Sequence, residues 1–312
     1  MPGPVFVTGA SGFVGTAVVQ ELLARNYPVK ALIHRRPLQL SHPLISSVNA
    51  CLFDAQAVAQ AIGDCQAVIH LIGIIMEQPS RGITFQRMHV EATMNVVNAA
   101  RRAGVRRYIH MSALGTRPDA VSEYHKTKYL AEQYVRASGL QWTIIRPSLI
   151  HGPQGEFMRM EARWVRGTAP PFLFMPYFSD TLLPTLGRGR AGLLQPVYVA
   201  DAAGAFVDCL QNPKTIGEVY PLGGPDQLTW PQLHHISAQV LRGRKRLVVS
   251  IPAWYARLLC AILPSWMLPF NRDQVIMSQE DNTCDLTKFI DDFGWQPRGF
   301  EQTLREYAPQ LT

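Results

Sequence analysis

Cysteine is scarce: five in 312 residues (Cys51, Cys65, Cys209, Cys260, Cys284), odd in number and with no C-x-x-C pair. This argues against a disulfide framework and a cysteine zinc site, and suits a reducing compartment. No metal site is expected. Lysine is scarcer than charge suggests, with six against 24 arginines, and the net charge is +7. The basic residues are dispersed and accompany no nucleic-acid motif, so nucleic acid is not an expected partner; the charge reads either as an ordinary basic surface or as affinity for anionic cofactors, substrates or lipid headgroups. The most apolar stretch, residues 251–270, is interrupted by Pro252, Arg257, Pro264 and Pro269, which argues against a transmembrane span. No repeat or low-complexity tail is visible. The first strand begins within a few residues of Met1, so no leader is expected and the expected location is the cytoplasm, including the inner face of the membrane.

What is present begins with Val5-Phe6-Val7-Thr8-Gly9-Ala10-Ser11-Gly12-Phe13-Val14-Gly15. It reads as an apolar strand, a turn with glycine at every third position, and the approach to a helix over residues 16–25. Lacking Cβ atoms, the glycines permit a tight turn and bring backbone N–H groups close to a ligand. The helix N-terminus adds orphan donors and partial positive charge. This predicts a pyrophosphate seat for a dinucleotide, lined by Gly9, Ser11, Gly12, Phe13, Val14 and Gly15. Only the G-x-x-G half of the G-x-G-x-x-G fingerprint is kept, and an ordinary strand-turn-helix is the plain alternative.

An acid is missing where one would matter. Residues 29–33 read as the second strand, ending in His34-Arg35-Arg36, where a Rossmann unit meets the adenine ribose. An Asp or Glu there would bond the 2′-hydroxyl, yet the only acid between Gly15 and Asp54 is Glu21, inside the first helix. Arg35 and Arg36 can pair a 2′-phosphate instead, so NADP(H) is expected over NAD(H). Further strands are predicted at residues 50–53 (ending at Asp54), 67–73, 106–111 and 140–145. Helices are predicted between them, including a long one over residues 84–103. His70 reads as a core histidine. Gly9, Arg35, Asp54, Gly73 and Ser112 all fall at strand ends, where parallel sheets bind ligands. The expected class is therefore α/β: a Rossmann-type, doubly wound parallel sheet over residues 1–153. A smaller C-terminal substrate-binding part over 154–312 is expected beside it, with 195–224 returning to the core.

Ser122 is a plausible cap for the next helix, on which Tyr124 and Lys128, four apart, share one face. A lysine beside a phenol favours phenolate and lowers its pKa. The pair suits proton exchange with a carbonyl or carbinol during hydride transfer, with Ser112 polarising the same oxygen. The plain alternative is an incidental surface pair.

Taken together, Thr8 to Gly15, Asp54, His70-Leu71-Ile72-Gly73, Ser112, Tyr124-x-x-x-Lys128 and Arg146-Pro147-Ser148-Leu149-Ile150-His151-Gly152-Pro153 resemble the short-chain dehydrogenase/reductase superfamily, in its extended and atypical branches. Gln195-Pro196-Val197-Tyr198-Val199-Ala200-Asp201 is similar to the segment that returns the chain to the sheet in extended members. The resemblance covers nearly the whole chain. It implies catalytic roles for Tyr124, Lys128 and Ser112. It also implies cofactor contacts from Leu71, Ile72, Gly73, Met111, Lys128, Pro147, Ser148 and Leu149. Ile109 to Gly115 and Trp142 to Ser148 are most similar to the group containing the NADPH-binding accessory subunit of respiratory complex I and its bacterial relatives, which implies bound NADP(H), sometimes without demonstrated turnover. Met111 and Ala113 flank a single Ser112, where sugar epimerases carry a serine/threonine run. The loop from Ser112 to Tyr124 is also short. Both features count against a nucleotide-sugar substrate.

Three functions are carried forward. The first is an NADP(H)-dependent oxidoreductase for a hydrophobic carbonyl or quinone-like substrate. The second is a non-catalytic NADP(H)-binding accessory or assembly protein of a respiratory or membrane-associated complex. The third is a nucleotide-sugar epimerase or dehydratase. Residues 154–194, rich in Phe, Met, Pro and Arg, read as a substrate cover or a long packed loop. In residues 251–270, Trp254, Tyr255, Leu258, Leu259, Ile262, Leu263 and Trp266 follow helical spacing beside the basic run Arg242-Gly243-Arg244-Lys245-Arg246. That pattern fits a packed helix, an interfacial helix or the wall of a lipid-like pocket.

Overall fold

A computed structural model describes residues 2–33, 37–263 and 267–311. The chain divides into two compact units: residues 1–147, 199–222 and 285–295 form the first, and residues 148–198, 223–284 and 296–312 the second. The first unit opens with β1 (Val5–Thr8), α1 (Phe13–Ala24), β2 (Val29–Ile33), β3 (Ile45–Asn49), α2 (Ala55–Ile62), β4 (Ala67–His70), α3 (Ala92–Arg102), β5 (Arg107–Met111), α4 (Glu123–Arg136) and β6 (Gln141–Pro147). The chain then builds β7 (Ile150–His151), α5 (Glu156–Arg166), β8 (Met175–Ser179), β9 (Thr185–Leu186) and β10 (Val197–Tyr198) of the second unit. It returns to the first for α6 (Val199–Asp208) and β11 (Glu218–Leu222), then adds α7 (Trp230–Arg242), β12 (Val248–Pro252), α8 (Ala253–Ile262) and α9 (Arg272–Met277) to the second. The first unit ends with α10 (Thr287–Phe293), the second with α11 (Phe300–Tyr307).

The central sheet has the order β11-β6-β5-β4-β1-β2-β3, and every pairing in it is parallel. Its strands are apolar at successive positions because both faces are covered. Phe6, Val68, Tyr108 and Ile144 pack on one face with Val58, Val96 and Val135 of α2, α3 and α4. The alternate residues Val5, Val7, Ile69, Ile109 and Ile145 are also fully buried. The direction of winding changes between β1 and β4, the position where such a sheet opens a ligand crevice. Asp54 caps α2 by accepting from Gln56 N–H and Ala57 N–H at 3.1 and 3.0 Å. Ser122 caps α4 through His125 N–H, as expected. At the opposite edge, buried Arg107 donates to Cys209 O, Gln141 O, Thr143 Oγ1 and Thr215 Oγ1, tying β5 and β6 to the segment that leads into β11.

Two sequence expectations fail here. The third strand is not residues 50–53 but Ile45–Asn49, a polar edge strand that is mostly exposed. Leu52 is buried from a turn instead. The long helix over 84–103 is interrupted: Gln86–Glu91 is π-helical and only then does α3 begin.

The second unit joins a two-stranded parallel pair, β7 with β10, to a three-stranded sheet of order β8-β12-β9. Met158, Leu233, Phe300, Leu304 and Tyr307 of α5, α7 and α11 form its main core. The fully buried pair His234 Nδ1–Glu161 Oε1 (2.8 Å) ties α7 to α5. A cavity of about 400 Å³ is lined by Tyr177, Arg190, Trp230 and Asp281, among others. Residues 251–270 are not one helix: Ile251 and Pro252 belong to β12, α8 has ten residues, and Trp266 lies outside the described residues.

Candidate functional site

The glycine turn has the shape its spacing predicts. Gly9 has φ +72°, which favours glycine, and its carbonyl accepts Gly12 N–H at 2.9 Å. A Cβ on Gly15 would lie 2.0 Å from Gly9 O, and one on Gly12 3.1 Å from it. Gly12 caps α1 without a side chain, so no side chain caps the helix start where Phe13, Val14 and Gly15 follow Ser11. A Cβ on Gly9 would stand 3.3 Å from the Leu71 carbonyl carbon and 3.5 Å from Ile72 Cγ1. The turn therefore presses against the residues after β4, in the crevice where winding reverses.

Beside it, α4 brings Tyr124 and Lys128 to the C-terminal ends of β4 and β5. Lys128 is buried and donates to Met111 O at 3.1 Å. A Cβ on Gly73 would come within 2.9 Å of Lys128 Nζ, so only glycine fits beside the ammonium without displacement. Burial pulls Lys128 down to about 8, opposed by Glu132 one turn along α4. Glu132 is itself fully buried and held by Arg146 at 2.8 and 2.6 Å. The Tyr124 ring meets His89, Phe85 and His125 edge-on. Burial pushes the phenol up to about 12. The expected lowering by the lysine is not seen: desolvation of the phenolate is what sets the direction.

Sequence reasoning missed a polar chain behind this pair. Thr93 donates to His89 O (2.6 Å), so it accepts from His70 Nε2 (3.2 Å). His70 Nδ1 then accepts the Thr8 hydroxyl (2.7 Å), and Thr8 Oγ1 accepts Leu71 N–H (3.3 Å). The core role expected for His70 is therefore an anchor between β1, β4 and α3. His89 bonds Thr127 Oγ1 (2.9 Å) and meets both the N–H and the carbonyl of Ile74. Burial and the Lys128 charge depress His70 to about 3 and His89 to about 2, so both are neutral. His89 reaches the pair from the π-helical turn. A histidine within a helical apolar pattern gave no sign of this.

The other expected residues are placed as follows. Ser112 follows β5, is buried, and donates to Thr116 Oγ1 at 3.4 Å. Met111 ends β5, and Pro147 ends β6 with its carbonyl accepting Leu114 N–H at 2.8 Å. One Asp54 oxygen is occupied by the α2 cap. Arg35 and Arg36 lie outside the described residues. Ser148 and Leu149 belong to the second unit, where Ser148 bonds Asn282 and Leu149 joins the main core. Among the described residues, no group of three or more His, Cys, Asp or Glu side chains is placed to hold a metal ion, and no helix is long and apolar enough to cross a membrane.

The chain is similar to several known proteins. Residues 9–163 match a family model described as NAD(P)H-binding. The chain is 27% identical over 262 residues to the mitochondrial NADH dehydrogenase (ubiquinone) 1 alpha subcomplex subunit 9 of Mus musculus, covering 79% of this chain and 62% of that protein. It thus spans about three fifths of that relative's length. It is 28% identical to the ceramide reductase of Caulobacter vibrioides, covering 79% of this chain and 73% of that protein. A UDP-glucose 4-epimerase structure from Thermotoga maritima superposes with a TM-score of 0.74 at 19% identity, covering 99% of this chain and 98% of the other. At that identity the likeness is one of fold.

Proposed function

Because this chain belongs to the NAD(P)-binding Rossmann proteins of short-chain dehydrogenase/reductase type, we propose that it is an NADP(H)-dependent reductase of a hydrophobic carbonyl or quinone-like substrate. The observation that carries this reading is the Tyr124–Lys128 pair of α4, set beside Gly73 and the Met111 carbonyl. The residues fit the cofactor: the start of α1 has no side-chain cap, which leaves its first N–H groups to a pyrophosphate, and the missing Cβ atoms let the turn close against Gly15 and let Lys128 Nζ lie beside Gly73. Gly9, Ser11, Gly12, Phe13, Val14 and Gly15 would hold the pyrophosphate. Lys128 would hold the nicotinamide ribose, with Leu71, Ile72, Gly73, Met111 and Pro147 along the cofactor. Arg35 and Arg36 would take the 2′-phosphate in the absence of an acid, and Asp54 would face the adenine. When bound, the reduced nicotinamide supplies hydride.

The chain's part is the proton. A phenol near 12 is a donor at neutral pH, so Tyr124 is suited to giving its proton to a carbonyl oxygen as the carbonyl carbon is reduced. Lys128, near 8, stays largely protonated and steadies the phenolate left behind until solvent returns the proton. Ser112 would share the same oxygen on turning from Thr116. Tyr124→Phe should lower kcat about 10²–10⁴-fold on aldehydes, ketones or quinones while nucleotide Kd stays unchanged. NADPH should bind more tightly than NADH, a preference that Arg35→Ala with Arg36→Ala removes. Equal or tighter NADH binding overturns the 2′-phosphate assignment.

The second reading is an accessory or assembly protein of a respiratory or membrane-associated complex, at the inner face of the membrane, whose bound nucleotide stabilises the fold. The likeness to the mouse subunit and the engagement of Ser112 with Thr116 favour it. Under that reading NADPH raises the Tm by mass action, and no carbonyl or quinone is turned over.

A further inference from the structure

We propose that α8 and the adjoining segment 180–187 of the second unit form a surface that docks on a bilayer carrying anionic lipid. The proposal concerns that unit alone and does not depend on the nucleotide reading. In a water-facing helix the bulky apolar residues turn inward, and in α8 the pattern is inverted. The small residues Ala253 and Ala256 are buried, against Val275, Phe178 and Phe270. Trp254, Tyr255, Leu258 and Ile262 face outward, Ile262 at 68% exposure. Trp254, Leu258 and Ile262, four residues apart, form one stripe. Trp254 Nε1 donates to Leu182 O at 3.2 Å, which sets Leu182 and Leu183, exposed at 81% and 74%, beside that stripe.

Charge selects the occupant. Residues 227–272 contain six basic residues (Arg242, Arg244, Lys245, Arg246, Arg257, Arg272) and no acidic one, Asp226 and Asp273 bounding the stretch, with Asp273 in the first turn of α9, which packs on α8. Arg257 is exposed on α8 itself, and exposed Arg188 and Arg190 follow segment 180–187. Asp180 opens the segment, and its Oδ1 accepts Arg190 N–H at 2.9 Å. Apolar area to insert, an amphipathic Trp-Tyr pair at the helix start and the exposed cations Arg257, Arg188 and Arg190 are the features of a helix lying in a lipid interface. At ten residues α8 is about 15 Å long, enough to lie on a bilayer and too short to cross it.

The test is co-sedimentation of the full chain with phosphatidylglycerol/phosphatidylcholine vesicles and with phosphatidylcholine alone, at low and high salt. Binding to the anionic vesicles at low salt is expected, weakened by salt and accompanied by a blue shift of tryptophan emission. Leu258→Glu, and separately Leu182→Asp with Leu183→Asp, should each weaken it about tenfold or more without changing the melting profile. Arg257→Glu should reduce the preference for anionic over neutral vesicles. The proposal is overturned by a wild-type chain that stays in the supernatant at low salt, or by binding that both apolar variants retain. It is also overturned by a self-association that Leu258→Glu abolishes while vesicles are ignored, which would make the occupant a second copy.

Discussion

In the nucleotide-binding unit the unusual side chains are polar and inside: Lys128, Glu132, Arg107 and His70, His89, His110 and His125 are all buried, most of them within hydrogen-bonded networks. In the second unit they are apolar and outside. Of the fifteen exposed large hydrophobic residues among those described, Phe172, Leu173, Leu182, Leu183, Leu186, Leu247, Trp254, Tyr255, Leu258, Ile262 and Met267 lie there. Buried polar groups must be satisfied or they cost stability, so the first pattern specifies one interior arrangement. Exposed apolar groups add little to folding and are available for association. One unit therefore invests in an interior, the other in a surface.

The contrast can be tested by substitution. The largest effect is expected where the second unit also buries a polar pair: His234→Ala leaves the buried Glu161 carboxyl without its partner and should destabilise that unit by about 3–5 kcal/mol. Limited proteolysis should then cut residues 148–198 or 223–284 first, and equal resistance to cleavage would count against a structural role for the pair.

Lys128→Met should act in the opposite direction. Burial holds Lys128 at about 8 against a usual 10.5. Between those values the unfolded chain keeps a proton that the folded chain has released, so stability rises with pH through that window. At neutral pH the buried ammonium costs about 3 kcal/mol. Glu132 keeps Arg146 when the lysine is removed. Urea unfolding should therefore show the variant more stable at pH 7, with the rise above pH 8 flattened, while nucleotide affinity falls. A variant less stable at pH 7 with an unchanged pH slope would contradict this.

Gly15→Ala forces a methyl group toward Gly9 O and should cost about 1–3 kcal/mol together with most of the nucleotide affinity. Calorimetry with NADPH is the check, and full-affinity binding would show that the turn can relax. The smallest effect belongs to the outer surface: Leu258→Ser should shift stability by no more than about 0.5 kcal/mol. A larger loss in thermal melting would mean that α8 is core.

Legibility in the sequence follows the same contrast. The turn from Gly9 to Gly15 and the Tyr124–Lys128 helix could be read because local backbone rules and four-residue spacing dictate them. Ile45–Asn49 could not, because an edge strand with Ser46 and Ser47 exposed carries no apolar alternation. The apolar run at residues 50–53 was the stronger but misleading signal. His89 was hidden because a π-helical turn breaks the period used to assign faces. In α8 the periodicity marked a face but not its direction; only the packing of Ala253 and Ala256 shows which side is inside. The phenol's environment was also out of reach, since desolvation depends on Phe85 and His89, which are remote in sequence from Tyr124.

Arg107 has a consequence for the order of events during synthesis. Two of its four partners, the Cys209 carbonyl and the Thr215 hydroxyl, are contributed by the segment that returns from the second unit, and β11, the neighbour of β6, begins only at Glu218. At about 5–20 residues per second, a ribosome leaves β6 as an open edge for several seconds while residues 148–198 emerge. Over that interval the guanidinium donors destined for the late segment must be met by water. The nucleotide-binding unit thus closes only after part of the other unit has been made, and the nascent chain is most exposed to misassembly between the arrival of Pro147 and that of Leu222.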